Sequence, residues 1–322
     1  MGPELVWKAV LQWPVVVLCT AIAIHWLFRW KRPSSVLGGG TGSNSGDRSA
    51  ALRPPSRGSR FVPIVAVLLP VAVSVAVQEA ITLRELFAQF PTTVSYGALP
   101  WAMLAAVAAA IVAGNGSGAL SRVAAAILVP SVALVFLSPP GLGGGVPQLV
   151  ALAIAAVAAM AACSVSGRPG PAPLLGWWLV FAVASVMVLL SGFAKLAVVL
   201  GSLSAMAATL AVCAAAIGRP TMGNGLAVTL ATALAAGAFL GCGYDESSFP
   251  RWTWVLLASA PAATALVGVP MVKRHPRLRF TVIVLGPSAV AVLALAAAML
   301  ATASTASPSN SAVDPYASAL LP

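Results

Sequence analysis

Lys195 is the only charged residue between Leu174 and Ile217, in a stretch that is otherwise apolar or weakly polar. Three hydroxyl residues share one helical face with it, close to a single stripe: Ser191, Ser202 and Thr209. An amine that leads such a stripe could face an anionic ligand, or a carboxylate partner such as Glu79. Two purely structural alternatives remain open. The lysine could mark a turn at a membrane interface, with its amine reaching water, and small hydroxyl residues are ordinary helix-packing material.

The segment 78–90, QEAITLRELFAQF, is the most polar helix-like stretch outside the long loop at 31–60. Its leucines and phenylalanines recur at helical spacing, which indicates an amphipathic helix lying on the outer membrane surface. One hypothesis is that this segment is an ordinary interfacial connector between two spans. The other is that it forms a gate or docking face built from Glu79, Arg84 and Glu85.

The segment 242–254, CGYDESSFPRWTW, combines two adjacent acids with several aromatic residues. The aromatic residues are typical of an interfacial belt. Asp245 and Glu246 could attract cations into a vestibule, or could simply solvate an exposed loop.

Residues 31–60 are rich in Gly, Ser, Pro and Arg and lack apolar periodicity, so we expect a disordered basic linker. The alternative is an arm that binds anionic lipid headgroups. Its candidate contacts are Arg48, Arg53, Arg57 and Arg60.

No enzymatic or metal motif is recognisable in the sequence. The four cysteines, Cys19, Cys163, Cys213 and Cys242, have no metal or redox spacing, and the two histidines have no converging acids. We therefore expect neither catalysis nor a bound cofactor. The basic residues lack the aromatic partners of a nucleic-acid surface, so we also expect no nucleic-acid partner.

The composition predicts an integral membrane protein with an all-α fold. Charged residues make up 8% of the chain and hydrophobic residues 60%, whereas a soluble domain has roughly 25% charged residues. Ten apolar stretches are each about long enough to cross a hydrocarbon core of ~30 Å. They are 9–28, 61–81, 95–113, 121–138, 147–166, 174–192, 196–217, 225–243, 252–271 and 281–303.

Charge distribution predicts how these spans are threaded. With the N-terminus outside, 14 of the 18 Lys and Arg residues fall in cytoplasmic segments, and only Asp47 among the seven acids does so. This is the asymmetry that membrane insertion favours. The predicted location is a bacterial cytoplasmic (inner) membrane, with the 31–60 loop in the cytoplasm and anionic lipids at that face as partners.

Four segments follow from this interpretation. They are a first span at 1–30, the linker at 31–60, a nine-span bundle at 61–303 and a disordered tail at 304–322. For function, the sequence favours a permease-like carrier or channel for a small neutral or weakly charged solute. The alternative is a non-catalytic scaffold or accessory subunit that packs against another membrane protein or a second copy of the chain, since the spans offer many small residues for close helix contact.

Overall fold

A computed structural model describes residues 67–79, 96–113, 119–137, 139, 142, 145–166, 170–217 and 222–305. All regular elements in these ranges are helical. The α-helices are α1 (Leu69–Gln78), α2 (Leu99–Ala113), α3 (Ala119–Val135), α4 (Val146–Ser166), α5 (Ala172–Leu190), α6 (Ala194–Ile217), α7 (Asn224–Gly243), α8 (Arg251–Ser259), α9 (Pro270–Arg274) and α10 (Pro276–Thr305). A 3-10 helix, η1 (Ala260–Gly268), continues directly from α8.

Within the described ranges, five helices are long and apolar enough to cross a membrane: α4, α5, α6, α7 and α10. Helices α1, α2 and α3 are shorter and also apolar. The predicted all-helical fold is therefore confirmed for the described residues, and five of its helices are candidate membrane spans. The predicted first span at 9–28 lies outside the described residues, as do the linker at 31–60 and the tail beyond Thr305. The count of ten spans stays a prediction.

The predicted span 252–271 has an internal change of helix type. Pro261 follows the end of α8, and because proline has no N–H it cannot supply the next α-helical hydrogen bond. The chain continues as η1, which rises ~2.0 Å per residue instead of ~1.5 Å. Together α8 and η1 extend roughly 31 Å, which is about the thickness of the hydrocarbon core.

Helix α7 lies at the centre of the bundle. Its residues from Leu226 to Gly241 are buried without interruption, and α2, α3, α4 and α8 pack around it. Among the described elements, helices α5 and α6 have the most extensive mutual contact, α10 packs on α5 and η1, and α1 packs on α6. Helices α3, α4 and α10 expose many large apolar side chains, for example Leu120, Val157 and Leu300. Such a surface suits lipid as its solvent.

Small residues set the closest helix contacts, as the Ala- and Gly-rich sequence predicts. Gly176 on α5 lies against the backbone of Ile283 on α10, where an added Cβ would be 2.8 Å from the Ile283 carbonyl oxygen. Gly237 on α7 lies against Leu200, and Gly241 lies against the indole ring of Trp254. Each glycine therefore lets a neighbouring helix approach more closely than a side chain would allow.

Contacts between helix termini show that the helices alternate in direction. Glu79, which follows α1, pairs with Lys195 in the first turn of α6, and Glu246, which follows α7, bonds to Ser191, which follows α5. We call this the Lys195 end. At the opposite end, Ser166 at the end of α4 bonds to Asn224 at the start of α7. Lys273 lies at that same end, where it lines one surface groove together with Ser164 of α4, and we call it the Lys273 end.

Charges are distributed unequally between the two ends, with Lys195 and Arg251 as the described basic residues at the Lys195 end. All three described acids lie at the Lys195 end: Glu79, Asp245 and Glu246. Five described basic residues lie at the other: Arg122, Lys273, Arg274, Arg277 and Arg279. This distribution agrees with the predicted threading from the second span onward. Which end faces the cytoplasm stays a prediction.

Candidate functional site

The candidate site begins at the turn between α5 and α6. The sequence predicts a turn near Ser191 and Gly192, because the apolar stretch is about twice the length of one crossing. The structure has it there: α5 ends at Leu190 and α6 begins at Ala194. Gly192 adopts a φ of +95°, a left-handed conformation that glycine tolerates best. This turn places Lys195 in the first turn of α6, at the end of the bundle.

Lys195 forms an ion pair with Glu79. Its Nζ lies 2.7 Å from Glu79 Oε1, and the two side chains are 48% and 39% exposed. Glu79 is held at the end of α1, where its backbone N–H donates to the Val75 carbonyl. One interpretation of the sequence gave the amine a carboxylate partner, and the other gave it access to water. The structure shows both features at Lys195. A half-exposed pair of this kind contributes only ~0.2–1 kcal/mol of stability.

A second polar contact joins α1 to α6 deeper in the bundle. The hydroxyl oxygens of Ser74 and Ser202 are 2.8 Å apart, and both side chains are buried. Ser202 donates to the Val198 carbonyl, so Ser74 is the donor to Ser202. Ser202 lies two helical turns, or roughly 10 Å, below Lys195. We call these two contacts, Lys195–Glu79 and Ser74–Ser202, the α1–α6 seam.

The other two residues of the predicted stripe have local partners. Thr209 donates to the Ala205 carbonyl one turn earlier on α6. Ser191 is buried, and its hydroxyl donates to the Val188 carbonyl. Its backbone carbonyl accepts from the N–H of Glu246 at 3.0 Å. Ser191 thus connects the α5–α6 turn to the loop at 244–250, while Ser202 contributes to the seam.

Asp245 organises the loop that follows α7. One carboxylate oxygen accepts from the Ser247 N–H at 2.9 Å, and the other accepts from the Phe249 N–H at 2.8 Å and from Trp254 Nε1 at 3.2 Å. Its neighbour Glu246 is exposed. The adjacent acids therefore differ in their contacts. The sequence reasoning missed this role, although an aspartate that bonds the N–H two residues later is an established turn signal.

We expect Asp245→Ala to lower the free energy of unfolding by about 1–3 kcal/mol, because two loop N–H groups and the buried Trp254 lose their acceptor. Glu246→Ala is the matched control and should change it by no more than about 0.5 kcal/mol. Chemical denaturation in detergent, followed by tryptophan fluorescence, measures both. Equal effects of the two substitutions would contradict the assignment.

An aromatic layer packs at the Lys195 end and was not predicted. The ring of Phe193 contacts Tyr96 at a centroid distance of 5.4 Å and Tyr244 at 4.5 Å. Tyr96, in the turn before α2, donates to Gln78 Oε1 at 2.8 Å. The layer therefore links α2, the α5–α6 turn and the loop after α7.

Several predicted site residues lie outside the described part of the chain. They are Arg84 and Glu85 of the gate hypothesis, and Arg48, Arg53, Arg57 and Arg60 of the lipid-arm hypothesis. Among the residues that are described, no group of three or more His, Cys, Asp or Glu side chains could hold a metal ion. The described cysteines, Cys163, Cys213 and Cys242, are free thiols.

Comparison with protein-family models, curated proteins and solved structures finds no significant match. The functional inference therefore rests on the geometry of this chain.

Proposed function

We propose that the chain is a carrier or channel for a small neutral or weakly charged solute, with the α1–α6 seam as its pathway. The observation that supports this most directly is the seam itself. It has polar side chains from two helices at two depths, one pair near the end of the bundle and the other buried. Polar groups within a membrane bundle are costly and commonly mark substrate or ion pathways.

The seam also has the contacts that a gate needs. Helix α1 packs mainly on α6 and only slightly on α2. The ion pair at its end is half exposed, so water solvates both charges when Glu79 and Lys195 separate, and the separation costs little energy. A separated Lys195 would present its amine to solutes entering at this end. Opening would then proceed inward to the Ser74–Ser202 contact.

The proposal is tested by solute flux into liposomes that contain the purified full-length protein. Stopped-flow light scattering with glycerol, urea and glycine should show faster reswelling for at least one solute than protein-free liposomes. Lys195→Ala should lower that rate at least tenfold. Because the ion pair contributes only ~0.2–1 kcal/mol of stability, the amount of folded protein should be unchanged.

Arg251→Ala is the matched control, since Arg251 is an exposed cation at the same end and takes part in neither polar contact of the seam. Its flux should equal that of the unmodified chain. Exchanging the charges, with Lys195→Glu and Glu79→Lys together, should recover part of the rate. Equal flux for Lys195→Ala and the unmodified chain would remove the proposal.

A scaffold or accessory subunit is the second proposal, and the packing of α7 favours it. Helix α7 is buried along almost its whole length, and its threonines, Thr229 and Thr232, donate to carbonyls of their own helix. The centre of the bundle is therefore apolar and well packed. A stoichiometric membrane-protein partner that co-purifies in mild detergent would support the scaffold. A single monodisperse species would favour the carrier.

The proposal includes the location and the partners that the sequence predicts. The chain would reside in a bacterial cytoplasmic membrane with its N-terminus outside, so that the Lys195 end faces outward and the Lys273 end faces the cytoplasm. Anionic lipids would contact the cytoplasmic face, and a homo-oligomer or another membrane protein could cover the lateral surface. The mechanism needs neither a covalent step nor a cofactor.

A further inference from the structure

An apolar groove of about 710 Å³ opens on the surface of the bundle between α3, α4 and η1. This volume lies in the range of small-molecule sites, roughly 300–1,000 Å³. Small side chains make room for it on both sides, from Ala156 and Ala161 on α4 to Ala262 and Ala265 on η1. Exposed Val157 and Met160 supply further apolar lining. The lining is suited to a hydrocarbon chain.

The depth of the groove matches one leaflet of a bilayer. Along α4 its lining runs from Ser164, near the Lys273 end, to Ala156, which is roughly 12 Å of helix. Half of a hydrocarbon core of ~30 Å is about 15 Å. The groove therefore extends from the Lys273 end toward the middle of the membrane.

A cation lies at the mouth of the groove. Lys273 lines it, and its backbone carbonyl accepts a hydrogen bond from Arg279 Nη2 at 2.6 Å. Arg122 directly precedes the lining residue Val123 on α3 and lies at the same end of the bundle. All the acids in the described part of the chain lie at the opposite end. The protein itself thus supplies no described carboxylate to balance these charges.

We propose that this groove binds a phospholipid with an anionic headgroup. One acyl chain lies along α4 and η1, and the headgroup phosphate pairs with Lys273. Charge complementarity at the mouth favours a lipid over an apolar helix of a second protein, which would leave these cations without counterions. The site is distinct from the α1–α6 seam and does not depend on the transport proposal.

The experiment uses full-length protein in phosphatidylcholine nanodiscs that contain a trace of photoactivatable lipid. The probes are phosphatidylglycerol and phosphatidylcholine, each with a diazirine in the acyl chain. Peptide mapping should locate phosphatidylglycerol crosslinks within 156–164 and 262–268. Lys273→Gln should lower this labelling about fivefold, the effect of one near-surface cation. Arg277→Gln, which removes a cation outside the groove, should change it less than twofold.

Filling the groove gives a second, independent test. Ala265→Phe should abolish crosslinking at these peptides, and Ala289→Phe, at an exposed position on α10 outside the groove, should preserve it. Gly268→Leu is a further groove variant, because an added Cβ there meets no atom within 4 Å. Equal labelling by both probes, or labelling unaffected by Ala265→Phe, would overturn the proposal. Crosslinks between two protein copies through this groove would assign it to self-association instead.

Discussion

Replacing Gly176 with leucine is expected to separate α5 from α10 and to lower the free energy of unfolding by about 3 kcal/mol or more. A Cβ at this position would lie 2.8 Å from the Ile283 carbonyl oxygen. That atom belongs to the backbone of a long helix, so no side-chain rotation relieves the clash. The measurement is chemical denaturation of the purified protein in detergent, supported by its thermal midpoint.

A graded series separates this contact from a general intolerance of larger residues. Gly176→Ala should cost about 1–3 kcal/mol. Gly237→Ala should cost less, because the atom it approaches at 2.8 Å is the end of the flexible Leu200 side chain. Gly268→Leu, which has open space around it, should be nearly neutral. Similar losses at all three positions would show that helix contact at Gly176 is not the cause.

Crosslinking helices α1 and α6 at the seam is expected to stop solute flux. In a variant whose natural cysteines are replaced, Ser74→Cys and Ser202→Cys place two thiols where hydroxyl oxygens are 2.8 Å apart. A disulfide requires a sulfur–sulfur distance of ~2.04 Å, and the longer C–S bonds bring the thiols toward it. Oxidation should reduce the liposome reswelling rate to less than a tenth, and dithiothreitol should restore it.

A crosslink away from the seam provides the control. Ser166 and Asn224 are hydrogen-bonded between α4 and α7 at the Lys273 end, so Ser166→Cys with Asn224→Cys tethers a different pair of helices. Flux should persist after oxidation of this variant, with disulfide formation in both variants verified by non-reducing peptide mapping. Undiminished flux through a fully crosslinked seam would exclude the α1–α6 interface as the pathway.

The sequence predicted those features that depend on lipid as the solvent. Apolar length placed the turn before Lys195, and the distribution of Arg and Lys anticipated a basic end and an acidic end. The length of an apolar stretch and the number of charges in a loop are local properties of the sequence. They can therefore be read without knowing which helices pack together. The pairing of Lys195 with Glu79 was offered only as one option, since it depends on α1 packing against α6.

Features that depend on distant contacts were largely missed. Asp245 gains its third donor because Trp254 returns to it from α8, and only its bond to the nearby Ser247 N–H follows a turn signal that the sequence carries. The aromatic layer joins Tyr96, Phe193 and Tyr244, which are far apart in the sequence. The span at 252–271 was predicted from apolar length, which carries no information on helix type, so the change from α8 to η1 beside Pro261 was not predicted.

The change from α8 to η1 determines the shape of the lipid-facing wall. A 3-10 helix has three residues per turn, so side chains spaced three apart eclipse one another. Ala262, Ala265 and Gly268 have this spacing and all line the groove. In an α-helix the same residues would rotate progressively away, by about 60° at each step. The straight row of the smallest side chains is therefore a product of helix type.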